Sequence, residues 1–161
     1  MSCKRSLSRL LLVLVAVGLA AAASREPSDA TEIKIVDPTF SVQQGFAING
    51  YDPVAYFTDY AAIHGDEAHA VVFDGVRFLF ANAENRTQFL HDPKRYLPQF
   101  GGYSTFALSK GKLYGADPRV FDIIDGRLYL SRNERVQELW HRNPNGYISQ
   151  AEENWSELSG R

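Results

Sequence analysis

The clearest hydrophobic patterning runs from Val71 to Ser104. Two apolar runs, Val71–Phe73 and Val76–Phe80, flank Asp74-Gly75, a dipeptide suited to a tight turn with positive φ, so this stretch predicts a β-hairpin. Strand periodicity then gives way to helix periodicity. Asn82 is placed to cap a helix over Ala83–His91 that spaces Phe89 and Leu90 after Arg86 and stops before Asp92-Pro93. Gly101-Gly102 follow an aromatic residue, where the backbone must take positive φ or pass close to a neighbour.

A second unit of the same kind follows. Thr105–Leu108 is a short apolar segment and Ser109–Lys112 a turn; Phe121–Ile124 and Arg127–Leu130 then form a hairpin around Asp125-Gly126. A helix is predicted from about Asn133 to His141, and Gly146–Trp155 supplies a last helical turn packing Ile148 and Trp155 back on the domain. Upstream, Glu32–Val36 reads as an edge strand. Asn49-Gly50 and Asp52-Pro53 are turn formers before Val54–Phe57, a short buried strand or helical turn, and Thr58–Ala70 reads as a polar loop. The expected fold is one α+β domain over residues 32–158, a small antiparallel sheet of hairpins with short helices on one face. Setting Arg77 against Arg127 pairs Phe89 with Leu139, Leu90 with Trp140 and His91 with His141, and Gly50-Tyr51-Asp52-Pro53 is echoed by Gly115-Ala116-Asp117-Pro118. The echo implies two related ββα units that differ mainly by a loop after Phe57. It reflects either an internal duplication or the repetition that strand–turn–helix chemistry imposes by itself.

The N-terminus changes the picture of where the chain works. Lys4, Arg5 and Arg9 precede an apolar run from Leu10 to Leu19 and the small residues Ala20–Ala23, the layout of a signal peptide over residues 1–23. The run is shorter than the ~20 residues a spanning helix needs, so no membrane insertion of the mature chain is expected. Residues 24–31 read as a flexible leader, and the localisation as periplasmic or secreted. Cleavage removes Cys3, the one cysteine, and with it any disulfide, thiolate ligand or thiol nucleophile. It also leaves 14 basic residues against 19 acidic ones, and that mildly acidic balance with no basic run argues against nucleic acid as a partner.

The motif content has a family likeness. Asp52-Pro53-Val54, Phe73-Asp74-Gly75-Val76-Arg77-Phe78-Leu79-Phe80 and Phe89-Leu90-His91-Asp92-Pro93-Lys94-Arg95-Tyr96 resemble the start, hairpin and helix of the YHS domain family. Gly50-Tyr51-Asp52-Pro53-Val54-Ala55-Tyr56-Phe57, Phe100-Gly101-Gly102-Tyr103, Gly126-Arg127-Leu128-Tyr129-Leu130 and the late Trp155 are similar to the exported bacterial members, over nearly all of residues 48–155. Many members carry cysteines thought to bind metal; Ala55 and Ala81 stand at the corresponding positions here, and Ser104 stands where the exported relatives usually have cysteine after Gly-Gly-Tyr. The resemblance therefore implies the scaffold without its thiols.

Chemistry must come from other residues. Tyr51, Tyr56, Phe57, Phe100 and Tyr103 gather around the glycine turns, either as packing or as the walls of a cleft floored by Gly101-Gly102. The expected ligand site is Tyr51, Asp52, Tyr56, Phe100, Gly101, Gly102, Tyr103 and Ser104, for a small molecule or metal ion. The metal candidates are His64 and His69, with Asp66 and Glu67 between them, and His91 and His141, whose competing role is to meet a helix dipole. A divalent metal ion or haem is the cofactor such a set would hold. Ser104 lacks the Gly-x-Ser-x-Gly elbow, and no catalytic constellation is visible, so no enzyme is expected. Asn85-Arg86-Thr87 and Asn154-Trp155-Ser156 are formal glycosylation sequons, the first inside a predicted helix. The expected function is an exported, non-catalytic binding protein. A histidine-based metal or haem carrier and an interaction module of an envelope complex, with a protein partner, are the alternatives.

Overall fold

The computed structural model describes residues 40–159, Gln44 excepted; the signal peptide expected over residues 1–23, the expected leader and the strand expected at Glu32–Val36 lie outside these residues. The first sheet contains β1 (Val42–Gln43), β2 (Phe46–Ala47), β3 (Asp66–Phe73) and β4 (Val76–Phe80), in the order β1-β2-β4-β3. A two-stranded sheet pairs β5 (Asp117–Ile124) with β6 (Arg127–Ser131). Six α-helices, α1 (Ala55–Thr58), α2 (Ala83–His91), α3 (Pro93–Tyr96), α4 (Thr105–Leu108), α5 (Glu134–Trp140) and α6 (Pro144–Leu158), and two short 3₁₀ segments, Ile48–Gly50 and Gln99–Gly102, complete the described residues. The fold is mixed α+β, as the hairpin–helix pattern predicts.

Local chemistry accounts for most element boundaries. Asp74 (φ 47°) and Gly75 (φ 76°) turn the first hairpin, and Asp125 (φ 50°) and Gly126 (φ 70°) the second. Asn82 Oδ1 accepts from Asn85 N at 2.8 Å and Asn133 Oδ1 from Val136 N at 3.0 Å, so each hairpin hands over to a capped helix. Of the two forms expected for Val54–Phe57, the helical turn is the one that forms. Three expectations change. The later part of the expected Thr58–Ala70 loop is strand β3, whose first residues Asp66–Ala68 are exposed on a sheet edge. The sheet is not wholly antiparallel, because Phe46 pairs with Arg77 in parallel. The last helical turn expected at Gly146–Trp155 is a full 15-residue helix, started by Asn143 and Pro144.

Period-two alternation along β6 divides the apolar interior. Leu128 and Leu130 join Val54, Tyr56, Phe78, Phe80 and Phe89 in one cluster, while Tyr129 faces the other way into a second with Phe100, Leu108, Trp140 and Ala151. Ile148, Trp155 and Leu158 of α6 close the second cluster, and Asn154 Nδ2 donates to Leu108 O at 2.9 Å. Both sequon asparagines are thus engaged internally, since Asn85 is buried and donates to Asp52.

The two units repeat in detail, in a register one residue away from the alignment on Arg77 and Arg127. β5 and β6 begin and end 51 residues after β3 and β4, and the pairs Phe73–Val76 and Ile124–Arg127 close equivalent turns. Phe89 corresponds to Trp140, both fully buried, and exposed Leu90 to exposed His141. Ahead of each hairpin stand three successive left-handed residues, Ile48-Asn49-Gly50 (φ 49°, 56°, 80°) and Phe100-Gly101-Gly102 (φ 54°, 60°, 84°). Each triplet leads to a tyrosine bridge, Tyr51 to His64 and Tyr103 to Gly115. Gly50-Tyr51 therefore corresponds to Gly102-Tyr103, not to Gly115-Ala116, and no loop is inserted after Phe57.

The residue after each bridge tyrosine distinguishes the units. Asp52, fully buried, accepts four hydrogen bonds: from Val54 N (2.8 Å) and Ala55 N (3.4 Å) at Oδ1, and from Ala81 N (2.8 Å) and Asn85 Nδ2 (2.7 Å) at Oδ2. Its counterpart Ser104 is equally buried, yet its Oγ has no partner among the described residues, and Val136 stands where Asn85 would answer it. Asp52→Ala strands several buried donors and is expected to cost about 3–5 kcal/mol in chemical denaturation. Ser104→Ala removes an unsatisfied hydroxyl and is expected to lie within about 1 kcal/mol of the parent or above it. Equal losses for the two would contradict this division of roles.

Candidate functional site

Of the expected site residues, Tyr51 and His64 are brought together at the surface. The antiparallel bridge between them places the rings face to face, 3.9 Å apart at their centroids and 32° from parallel. They form one wall of an open cleft of about 510 Å³. Asn49 lines the same cleft from the left-handed triplet, a conformation asparagine tolerates better than most residues. The opposite wall comes from the second unit: Asp117 and Arg119 at the start of β5, and Arg132 just beyond β6. The cleft therefore takes its lining from both units.

Its polar groups are arranged by local geometry. Asp117 receives Arg119 through two side-chain bonds, Nε to Oδ1 at 3.0 Å and Nη2 to Oδ2 at 2.7 Å, and also accepts from Arg119 N at 3.0 Å. The Arg119 side-chain hydrogen bond holds the Asp117 carboxyl below the usual carboxylate range, against a smaller upward push from burial. The Arg132 guanidinium lies over the Tyr114 ring at 4.8 Å, which steadies the cation without neutralising it. Among the described residues Arg132 has no carboxylate partner. Asn49 Oδ1 is shut away from water and has no hydrogen-bond partner among the described residues.

The other expected ligand residues serve the fold. Asp52, Tyr56 and Ser104 are closed to solvent. Tyr56 donates its hydroxyl to Pro118 O at 2.9 Å, tying α1 to the segment that carries the cleft's second wall, and burial pushes its phenol far above the ordinary range. Phe100 and Tyr103 pack against Trp155 at 6.1 and 6.2 Å, away from the Tyr51–His64 stack. Gly101 O accepts from Ser41 N at 2.8 Å, and Gly102 supplies the φ of 84° that ends the triplet. The aromatic set therefore separates into two clusters, because the Gly-Gly-Tyr turn and the Gly-Tyr turn are repeats of one device and occupy equivalent places in different units. The Gly-Gly-Tyr turn still reaches the cleft indirectly, through the Tyr103 bridge to Gly115 in its lining.

The four histidines occupy separate settings. His64 is on the cleft, and His69 is half-buried on β3. His91 borders a different groove with Gln88, Asp92 and Tyr96, and His141 Nε2 meets Asp122 Oδ1 at 2.7 Å. The carboxylates between His64 and His69 are used locally, Glu67 by Arg77 at 3.2 Å and Asp66 by Ala68 N at 2.8 Å. Among the described residues no three His, Cys, Asp or Glu side chains gather as a metal ion would require.

Sequence reasoning did not single out Asn49, Arg119 or Arg132. Asn49-Gly50 and Asp117-Pro118 were visible as turns, but a turn signal does not say which side chains will face one another. Because Asp117 is depressed by its arginine, the pair stabilises the fold fully above the unfolded carboxyl value near ~3.9 and loses that contribution as pH falls through the lower folded value. Arg119→Gln is expected to return the Asp117 titration, followed by carboxyl NMR, towards the ordinary range. Comparison of the chain with family models, with curated proteins and with solved structures gave no match.

Proposed function

We propose that this is an exported, non-catalytic protein of YHS-domain type that binds a small ligand beside the Tyr51 turn. The observation that carries this reading is the Tyr51–His64 stack lining one cleft with Arg119 and Arg132, in a lining held by backbone bridges and a buried tyrosine hydrogen bond. A stacked aromatic pair next to directional polar groups is what a small polar ligand needs for orientation. The burial of Ser104 Oγ supports a binding role over an acyl-transfer one, because a nucleophile must reach its substrate. The signal-like first 23 residues support export. The likeness to the YHS family rests on the motifs alone.

An envelope interaction module is the second reading, favoured by Tyr60 and Val72, which are 67% and 69% exposed, Val72 on edge strand β3. Native mass spectrometry of the protein recovered from the exported fraction, paired with elemental analysis, separates the readings. The expected result is a mature chain beginning at Ser24 with a small-molecule adduct that Tyr51→Ala removes. A stoichiometric metal would replace this reading with the carrier, and a protein adduct would replace it with the interaction module.

A further inference from the structure

We infer that the cleft selects a small organic anion, one presenting a carboxylate or phosphate. This inference rests on the reading of the cleft as a ligand site and names the class of ligand. The described lining carries two arginines against one carboxyl group, an excess of positive charge on a protein whose formal charge is −2. A local cationic site on an acidic surface concentrates anions and little else.

Arg119 spends Nε and Nη2 on Asp117, which fixes its plane and leaves its remaining donors at the far end of the guanidinium. Arg132, stacked on Tyr114, is fixed by its face, so its N–H edge stays available. Planar guanidinium edges match the two oxygens of a carboxylate or two of a phosphate. A hydrophobic or uncharged ligand would leave these donors unmatched.

Asn49 is also in the lining, but its Oδ1 is shut away from water and is not offered to the cleft. The Tyr51–His64 pair offers a flat surface in the same lining as the two arginines. Small carboxylic acids and phosphate esters carry the anionic group that the guanidinium edges match.

The test is an amide NMR titration of the exported protein with lactate, inorganic phosphate and propylene glycol, the last matching lactate without its carboxylate. Lactate or phosphate is expected to shift the amides of residues 49–51, 64, 115–117, 119 and 132, and the stronger of the two identifies the anion. Arg132→Gln is expected to weaken that binding by about tenfold, the value of one charge-assisted hydrogen bond. Asp117→Asn retains the oxygen that accepts from Arg119 N and removes a competing charge, so it is expected to tighten binding a few-fold at low ionic strength. Neither side chain is part of the core, so both variants keep the fold. Propylene glycol shifting the same amides as strongly as lactate would overturn the anion while leaving the cleft a binding site. Anion binding unchanged in both variants would overturn the assignment to these arginines. Absence of cleft shifts with all three compounds would overturn the inference, and the adduct measurement under Tyr51→Ala then decides the cleft reading separately.

Discussion

The buried carboxyl group of Asp52 holds four hydrogen-bond donors from three parts of the first unit in one place. Asp52 follows the left-handed triplet, starts α1 through Val54 N, holds the end of β4 through Ala81 N and fixes α2 through the Asn85 amide. None of these contacts is replaceable by packing, because each donor is enclosed and would otherwise stay unpaired at a cost of about 1–3 kcal/mol. Fixing Asp52 also fixes Tyr51, its chain neighbour, and with it the bridge and stack to His64. The position of the cleft's first wall is therefore a consequence of a hydrogen-bond network inside the domain.

The second unit solves the same problem with apolar groups. Ser104 and Val136 replace the Asp52–Asn85 pair, and α6 covers the unit instead, bringing Trp155 and Ile148 onto Phe100, Tyr129 and Trp140. The common backbone frame survives this exchange: the triplet, the tyrosine bridge, the hairpin register and the asparagine cap all recur. The left-handed triplet is costly for Ile48, a β-branched residue, by about 1–2 kcal/mol. Its burial among Phe40, Val54 and Phe78 offsets that strain, at about 1.5–3 kcal/mol for an aliphatic side chain taken from water. Gly65 shows how tightly the frame closes, since a Cβ there would lie 2.4 Å from the Leu79 carbonyl carbon.

Repetition also explains why the cleft is asymmetric. Its lining combines the bridge-and-turn region of one unit with the strand start of the other and Arg132 just beyond β6, so aromatic and guanidinium groups come together there. Tyr56 links the two by bonding Pro118 O from inside the core. A buried tyrosine from α1 thereby positions Asp117 and Arg119 without touching the cleft.

What the amino-acid order determines by itself is the set of features that local physics decides. The Asp-Gly hairpin turns, the asparagine caps and the Ala83–His91 helix all form where propensity, capping and periodicity agree. The repeated unit was legible too, though displaced by one residue, because Arg77 and Arg127 look alike while the Asp-Gly turns are the true equivalents. Tertiary structure decided the rest. Asp66–Ala68 reads as loop because an edge strand exposed to water needs no apolar alternation, and only its partner β4 makes it a strand. Asp52 reads as a turn former, and only enclosure reveals it as an acceptor for donors up to 33 residues away. The cleft was least legible, because Asn49, Arg119 and Arg132 are solvent-compatible residues whose types constrain nothing until folding brings three distant segments face to face.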